Sequence, residues 1–178
     1  MSRILGVDLG DRRIGLAIAD RDGGRAVPLS TLNRKPTVDE DAAALARIVA
    51  DQAVDELVVG LPLHAAGGEG SQAAATRDWA DAIAPILSLP VTFRDERLTS
   101  HLAEQRVGPM KRGRSGGPPT RAQRDAHRAR IDREAAAIIL QDELDDRASR
   151  IGGAGADGPS AASAPSPRRP DHGTETPR

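Results

Sequence analysis

A chain of 178 residues that is 38% apolar is long enough for one domain around a single core. It carries no cysteine, which excludes a disulfide framework or a thiolate metal site. Its formal charge of -1 gives no overall pull toward polyanions, and two aromatics, Trp79 and Phe93, are too few for a base-stacking platform.

Residues 3–9 read as a buried strand, Asp11-Arg12-Arg13 as a tight turn, and 14–19 as a second strand, so an antiparallel hairpin opens the chain. A third strand is expected from Ala26 to Leu32, with Pro28 limiting its share of the ladder. Thr37 is placed to cap a helix from about Val38 to Gln52. Glu40 stands at capping-box spacing, and Leu45, Ile48 and Val49 form the apolar stripe. Glu56 to Gly60 reads as a continuous apolar strand, and the strand-helix-strand order implies a parallel crossover. After Leu61-Pro62-Leu63 and the glycines of 67–70, a helix is expected from Ser71 to about Leu87, with Ala74, Trp79, Ile83 and Ile86 inward. Pro90 to Arg94 is the next strand, and Leu98-Thr99-Ser100 caps a short helix to about Arg106. Residues 108–126, rich in glycine, proline and arginine, are expected to be irregular. The last helix runs from about Arg128 to Arg147 with Ala135, Ile138, Ile139 and Leu144 inward.

From residue 151 to 178 glycine, alanine, serine and proline dominate without apolar periodicity, which reads as a disordered tail behind a domain of residues 1–150. The expected fold class is α/β. Three antiparallel strands followed by parallel additions make a mixed five-stranded sheet flanked by helices. No apolar run reaches membrane length and no leader pattern follows Met1, so a cytoplasmic protein without a membrane partner is expected.

Three acids stand against different hydrophobic elements: Asp8 inside Ile4–Gly10, Glu96 after Val91–Asp95, and Asp132 at the start of the stretch Ile131–Leu140. A carboxylate in a strand is costly to bury unless it is paired or binds a metal. Asp8 between Val7 and Leu9 is the hardest to explain as a solvated residue. Glu96 beside Arg97 also reads as a surface ion pair, and Asp132 as a partner of its helix's N-terminal dipole. Together the three point to hard oxygen ligands for Mg²⁺ or Mn²⁺. Two such ions about 4 Å apart clamp the attacking and leaving oxygens of a phosphoryl displacement. Neighbouring strand residues face opposite sides, so Asp95 and Glu96 are not both expected as ligands, and Glu96 is preferred.

Gly6 and Gly10 are expected to let a phosphate or another backbone come close to Asp8, and Arg12 and Arg13 suit phosphate contact. From Arg106 to Arg130 basic residues accumulate, with Lys111, Arg112, Arg114 and Arg128 among them and only Asp125 opposing. Alone, that run reads as a solvated loop; beside an acidic site it reads as a nucleic-acid contact. His64, His101 and His127 show no metal-ligand spacing.

Four segments occur in one order: Gly6-Val7-Asp8-Leu9-Gly10-Asp11-Arg12-Arg13-Ile14-Gly15, Val58-Val59-Gly60-Leu61-Pro62-Leu63, Asp95-Glu96-Arg97-Leu98-Thr99-Ser100, and Ile131 to Gln141. In these the chain resembles the YqgF family of bacterial nucleases, described both as Holliday junction resolvases and as pre-16S ribosomal RNA nucleases. The resemblance implies an RNase H-like fold, Asp8, Glu96 and Asp132 as the acidic active-site residues, and a cytoplasmic role in maturing the 5′ end of 16S ribosomal RNA. Ser100 stands where the family has the second of two threonines. The segment from Val107 to Gln123 is longer and richer in glycine than the family's.

The expected activity is therefore metal-dependent hydrolysis of a phosphodiester, with RNA held by Arg12, Arg13, Arg97, Lys111, Arg112, Arg114 and Arg128. The small ribosomal subunit is a candidate partner. Resolution of a four-way DNA junction is the alternative on the same site. A resolvase making paired cuts needs a twofold dimer, whereas an RNA trimmer works as a monomer or a homodimer. A nucleotide-closing ATPase needs two such domains, and only one is present. A catalytically silent binding factor in ribosome assembly is the remaining class.

Overall fold

The computed structural model describes residues 2–63, 70–96, 99–110 and 118–153. Five strands, β1 (Arg3–Leu9), β2 (Arg13–Asp20), β3 (Val27–Asn33), β4 (Val54–Leu61) and β5 (Val91–Asp95), form one sheet in the order β3-β2-β1-β4-β5. β1 pairs antiparallel with β2 and β2 with β3, while β4 runs parallel to β1 and β5 parallel to β4. This is the mixed sheet expected from the sequence. Pro28 lies on the edge strand, where a missing N–H costs least. The ladder to β2 shifts register there, between Leu16 and Ala17.

Alternation along β1 divides the molecule into layers. Leu5 and Val7 face one side and pack with Leu45 of α1 (Val38–Gln52) and with Trp79 and Ile83 of α2 (Ser71–Leu87). Ile4 faces the other side and packs with Ala136, Ile139 and Leu140 of α4 (Arg121–Gly153). A short helix, α3 (Thr99–Val107), lies against α4 through Ala103. α1 starts at the expected capping box: the Thr37 hydroxyl accepts from Glu40 N–H, and the Glu40 carboxylate accepts from Thr37 N–H.

Two helices differ from expectation. In α2 the buried positions are Ala73, Thr76, Trp79, Ala80 and Ile83. Ala74 is exposed and Ile86 is 52% exposed, because the 3.6-residue period passes through 76, 80 and 83 and leaves 86 outside the stripe. α4 starts at Arg121, seven residues before the expected Arg128. A second capping box begins it, Thr120 Oγ1 accepting from Gln123 N–H and Gln123 Oε1 accepting from Thr120 N–H. Thr120-x-x-Gln123 is a helix start hidden in a run that otherwise reads as loop. α4 also runs to Gly153, past the expected end at about Arg147 and three residues into the tail expected from 151; residues 111–117 and the rest of that tail, from 154 onward, lie outside the described residues.

The base of α4 is held by buried charge. Glu56, 6% exposed at the start of β4, accepts from Arg147 Nη1 at 3.0 Å, from Arg21 Nη2 at 2.5 Å and from Thr92 Oγ1 at 3.0 Å. Arg147 Nε also donates to Glu143 at 2.8 Å. The hydrogen bond from Arg147 is the main reason that the Glu56 carboxyl is held below its ordinary value. Breaking such a group leaves a buried charge short of partners. Arg147→Ala is expected to cost about 2 kcal/mol, less than a fully buried pair because Arg21 remains, as read by urea unfolding at pH 7. Since the folded-state carboxyl is depressed, this stabilisation is present above its unfolded value of 4.5 and fades as pH falls through the folded one. The cost of the substitution should therefore shrink at pH 3.

Candidate active site

β1, β4 and β5 are parallel, so their C-terminal ends share one edge of the sheet, where ligands gather in open α/β folds. Asp8 is the penultimate residue of β1. Glu96 follows β5 directly, its N–H donating to Leu61 O at the end of β4. Asp132 comes to the same edge from α4, about three turns inside the helix. It is not near the helix N-terminus, as the sequence reading had it, so the helix dipole does not account for it.

Three glycines on neighbouring strands admit α4 this closely. A Cβ at Gly6 would lie 2.8 Å from Ala136 O and 2.8 Å from Leu140 Cβ. A Cβ at Gly15, the cross-strand partner of Asp8, would collide with the backbone carbonyl of Asp132. A Cβ at Gly60 would collide with Glu96 Oε2 and lie 2.5 Å from Ile139 Cδ1. Gly15 thus seats Asp132 beside Asp8, and Gly60 gives the Glu96 carboxylate its place. The approach expected at Gly6 is made by a helix backbone and not by a phosphate. Gly10 serves the turn, its N–H donating to Arg13 O at 2.9 Å.

The electrostatics show how closely the acids are gathered. Burial, and then the charge of Asp132, push the Asp8 carboxyl up to about 7. Burial, then the charge of Asp8, then that of Asp95, push Glu96 up to about 8. The two titrate as a pair: once Glu96 has taken a proton, Asp8 feels mainly its own desolvation and Asp132. Among the described residues neither shift carries a cationic contribution. Asp132 differs, because its carboxylate accepts from Arg13 Nε in an ion pair with both side chains under a quarter exposed. Among the described residues no three acidic or histidine side chains converge closely enough to hold a metal ion.

The donor set nevertheless suits a hard divalent cation. Asp8 and Glu96 offer carboxylate oxygens in a poorly solvated place where their charges repel, and a cation relieves both costs. Asp132 adjoins Asp8 and is engaged by Arg13.

The expected basic residues fall into three groups. Arg12 is exposed at the hairpin tip and, with Gly10, Asp11, Arg13, Arg128 and Asp132, lines a hollow of about 250 Å³. Arg128 is exposed and also borders a hollow of about 590 Å³ between α3 and α4, with His101 and His127 in its wall. Arg97, Lys111, Arg112 and Arg114 lie outside the described residues, as does His64. Sequence reasoning missed the seating role of Gly15 and Gly60. Glycine inside a strand signals the close approach of something, and that signal was present at both.

Comparison with known proteins adds four findings. Residues 2–146 match the family model described as RuvX: Holliday junction resolvase. A Chloroflexus aggregans protein named "Putative pre-16S rRNA nuclease" is 44% identical over 144 residues, 81% of this chain and 94% of its own. A protein of the same name from Anaeromyxobacter dehalogenans is 44% identical over 146 residues, 82% of this chain and 98% of its own. Among solved structures, Thermus thermophilus RuvC in complex with a Holliday junction substrate matches 84% of this chain and 97% of its own at 13% identity, with a TM-score of 0.49.

Proposed function

Because the chain belongs to the RuvX Holliday junction resolvase family, we propose that Asp8, Glu96 and Asp132 form the active site of a divalent-metal-dependent phosphodiesterase. We infer that it trims the 5′ end of precursor 16S ribosomal RNA in the cytoplasm. The chain is a hydrolase of phosphodiester bonds. The observation that supports this placement best is the Asp8–Glu96 pair, two carboxyls pushed to about 7 and about 8 at the sheet edge, with no cationic side chain among the described residues to offset either shift.

Asp8 and Glu96 would hold the ion, and Asp132 would join them on release from Arg13. When bound, Mg²⁺ or Mn²⁺ supplies a Lewis acid for the phosphoryl oxygens and makes water a nucleophile at neutral pH. The chain's own part is orientation. Arg12 and Arg128 border the hollow beside Asp132, and their guanidiniums are suited to grip phosphate oxygens. Arg13 would exchange Asp132 for a substrate phosphate. In the free protein Arg13 and the cation compete for one carboxylate. Arg13→Gln is therefore expected to tighten Mn²⁺ binding severalfold in calorimetric titration while lowering cleavage.

The RNA assignment follows the names of the similar proteins, and the description of the family model favours a second substrate, the four-way DNA junction. Cleavage of a labelled 16S precursor fragment and of a DNA junction, side by side in Mg²⁺ and Mn²⁺ with Asp8→Asn as control, separates them. RNA cleavage lost in the variant supports the proposal. Paired junction cuts without RNA cleavage move the assignment to the resolvase. Absence of both leaves a binding factor.

A further inference from the structure

The arginines of this chain are mostly matched to carboxylates, as Arg21, Arg34, Arg94 and Arg147 show. Among the described residues Arg12, Arg25, Arg47, Arg124, Arg128, Arg130 and Arg133 lack such a partner. Only Arg47 lies on α1, on the far face of the sheet. The others gather around α4. Arg130 and Arg133 line a hollow of about 540 Å³ with Pro28 and Leu29 of the edge strand and Arg106 of α3. A second hollow, of about 450 Å³, continues past Ala137 and Gln141 to Arg25, and Arg106 stands in the wall of both. Positions 130, 133, 134, 137 and 141 form one stripe at helical spacing, so the two hollows make a groove. From 130 to 141 it runs about 16 Å at 1.5 Å per residue, room for a short stretch of one strand's backbone. The carboxylates in its walls are Glu134, which pairs with Arg106 at 3.2 Å, and Asp145 at the far end.

We propose that this groove seats the phosphodiester backbone of the RNA strand leading away from the cleaved bond. Arg130 and Arg133 hold consecutive phosphates and Arg25 holds a later one. The inference rests on the nuclease assignment, because the groove starts within one helical turn of Asp132. Unmatched guanidiniums on a chain of charge -1 favour a polyanion. They also favour recognition of backbone over base, since the walls carry no aromatic ring.

The test is fluorescence anisotropy with a labelled RNA hairpin bearing a single-stranded flank, on an Asp8→Asn background so that nothing is cleaved. Each phosphate contact contributes about 0.7 to 0.9 to the slope of log affinity against log salt. Arg130→Gln with Arg133→Gln should lower that slope by about 1.5 and weaken binding at least tenfold at low salt. Arg47→Gln, a change at an exposed arginine on the far face, should alter neither, and melting curves should coincide for all three. An unchanged slope in the double variant, or an equal fall in Arg47→Gln, overturns the groove. Cleavage by the chain with Asp8 intact is read separately. A fallen slope with no cleavage keeps the groove and removes the nuclease assignment, whereas cleavage with an unmoved slope does the reverse.

Discussion

Asp8→Asn is expected to reduce phosphodiester cleavage at least about 10³-fold and to raise the melting temperature of the metal-free protein at pH 8. The loss follows from removing a cation ligand whose contribution to the transition state is several kcal/mol, at 1.36 kcal/mol per tenfold. The gain follows from linkage. The folded-state carboxyl of Asp8 is raised from 3.8 to about 7, so between those values the native state binds more protons than the unfolded chain. Stability therefore falls as pH rises from about 4 to about 7 and stays low above it. Glu96, raised from 4.5 to about 8, adds the same slope in an overlapping window. Asparagine removes the charge and relieves Glu96 of one repulsion. A gain on the order of 2 kcal/mol at pH 8 is expected, discounted because Asp8 keeps some solvent contact, and it should vanish near pH 4. Thermal melts of both proteins from pH 4 to 8, beside the cleavage assay, check it. Equal melts throughout would mean that Asp8 is not the strained acid described here.

The second large effect is expected at a residue without a side chain. Gly15→Val should destabilise the fold by about 3 kcal/mol or more and abolish cleavage, because the new Cβ would occupy the place of the Asp132 carbonyl. Overpacking in a core costs about 1–3 kcal/mol when side chains can yield. Here the obstacle is the backbone of a 33-residue helix, so relief requires moving α4 and Asp132 with it. Gly10→Ala is the comparison, since its Cβ would meet only Arg13 O at 3.1 Å, and its cost should be much smaller. Urea unfolding of both variants at pH 7 measures the difference. Equal midpoints would show that α4 is not held against the sheet through Gly15.

What the sequence made legible was mainly local. The Thr37–Glu40 box, the first hairpin and the apolar run of β4 are written in neighbouring residues, and the structure has them where spacing put them. The second box at Thr120 is equally local but stands at the end of a glycine-, proline- and arginine-rich run that dominated the reading. Asp8 was legible because a lone acid in an apolar strand has few physical explanations. The Asp132 partner was not, since Arg13 is 119 positions away and only the packing of α4 on β2 unites them. Gly15 and Gly60 announced a close approach without saying which backbone or carboxylate would make it. The basic groove was invisible because its arginines come from separate segments, the β2–β3 turn, α3 and α4. An arginine's lack of a carboxylate partner can be recognised only once all partners are placed.

The most direct measurement of the central claim is a calorimetric titration of Mn²⁺ into the metal-free wild type, Asp8→Asn, Glu96→Gln and Arg47→Gln at pH 7.5. Wild type and Arg47→Gln should bind alike, with Asp8→Asn and Glu96→Gln at least tenfold weaker and all four folded by circular dichroism. Equal affinity in all four would place the cation elsewhere and contradict a metal site at Asp8 and Glu96.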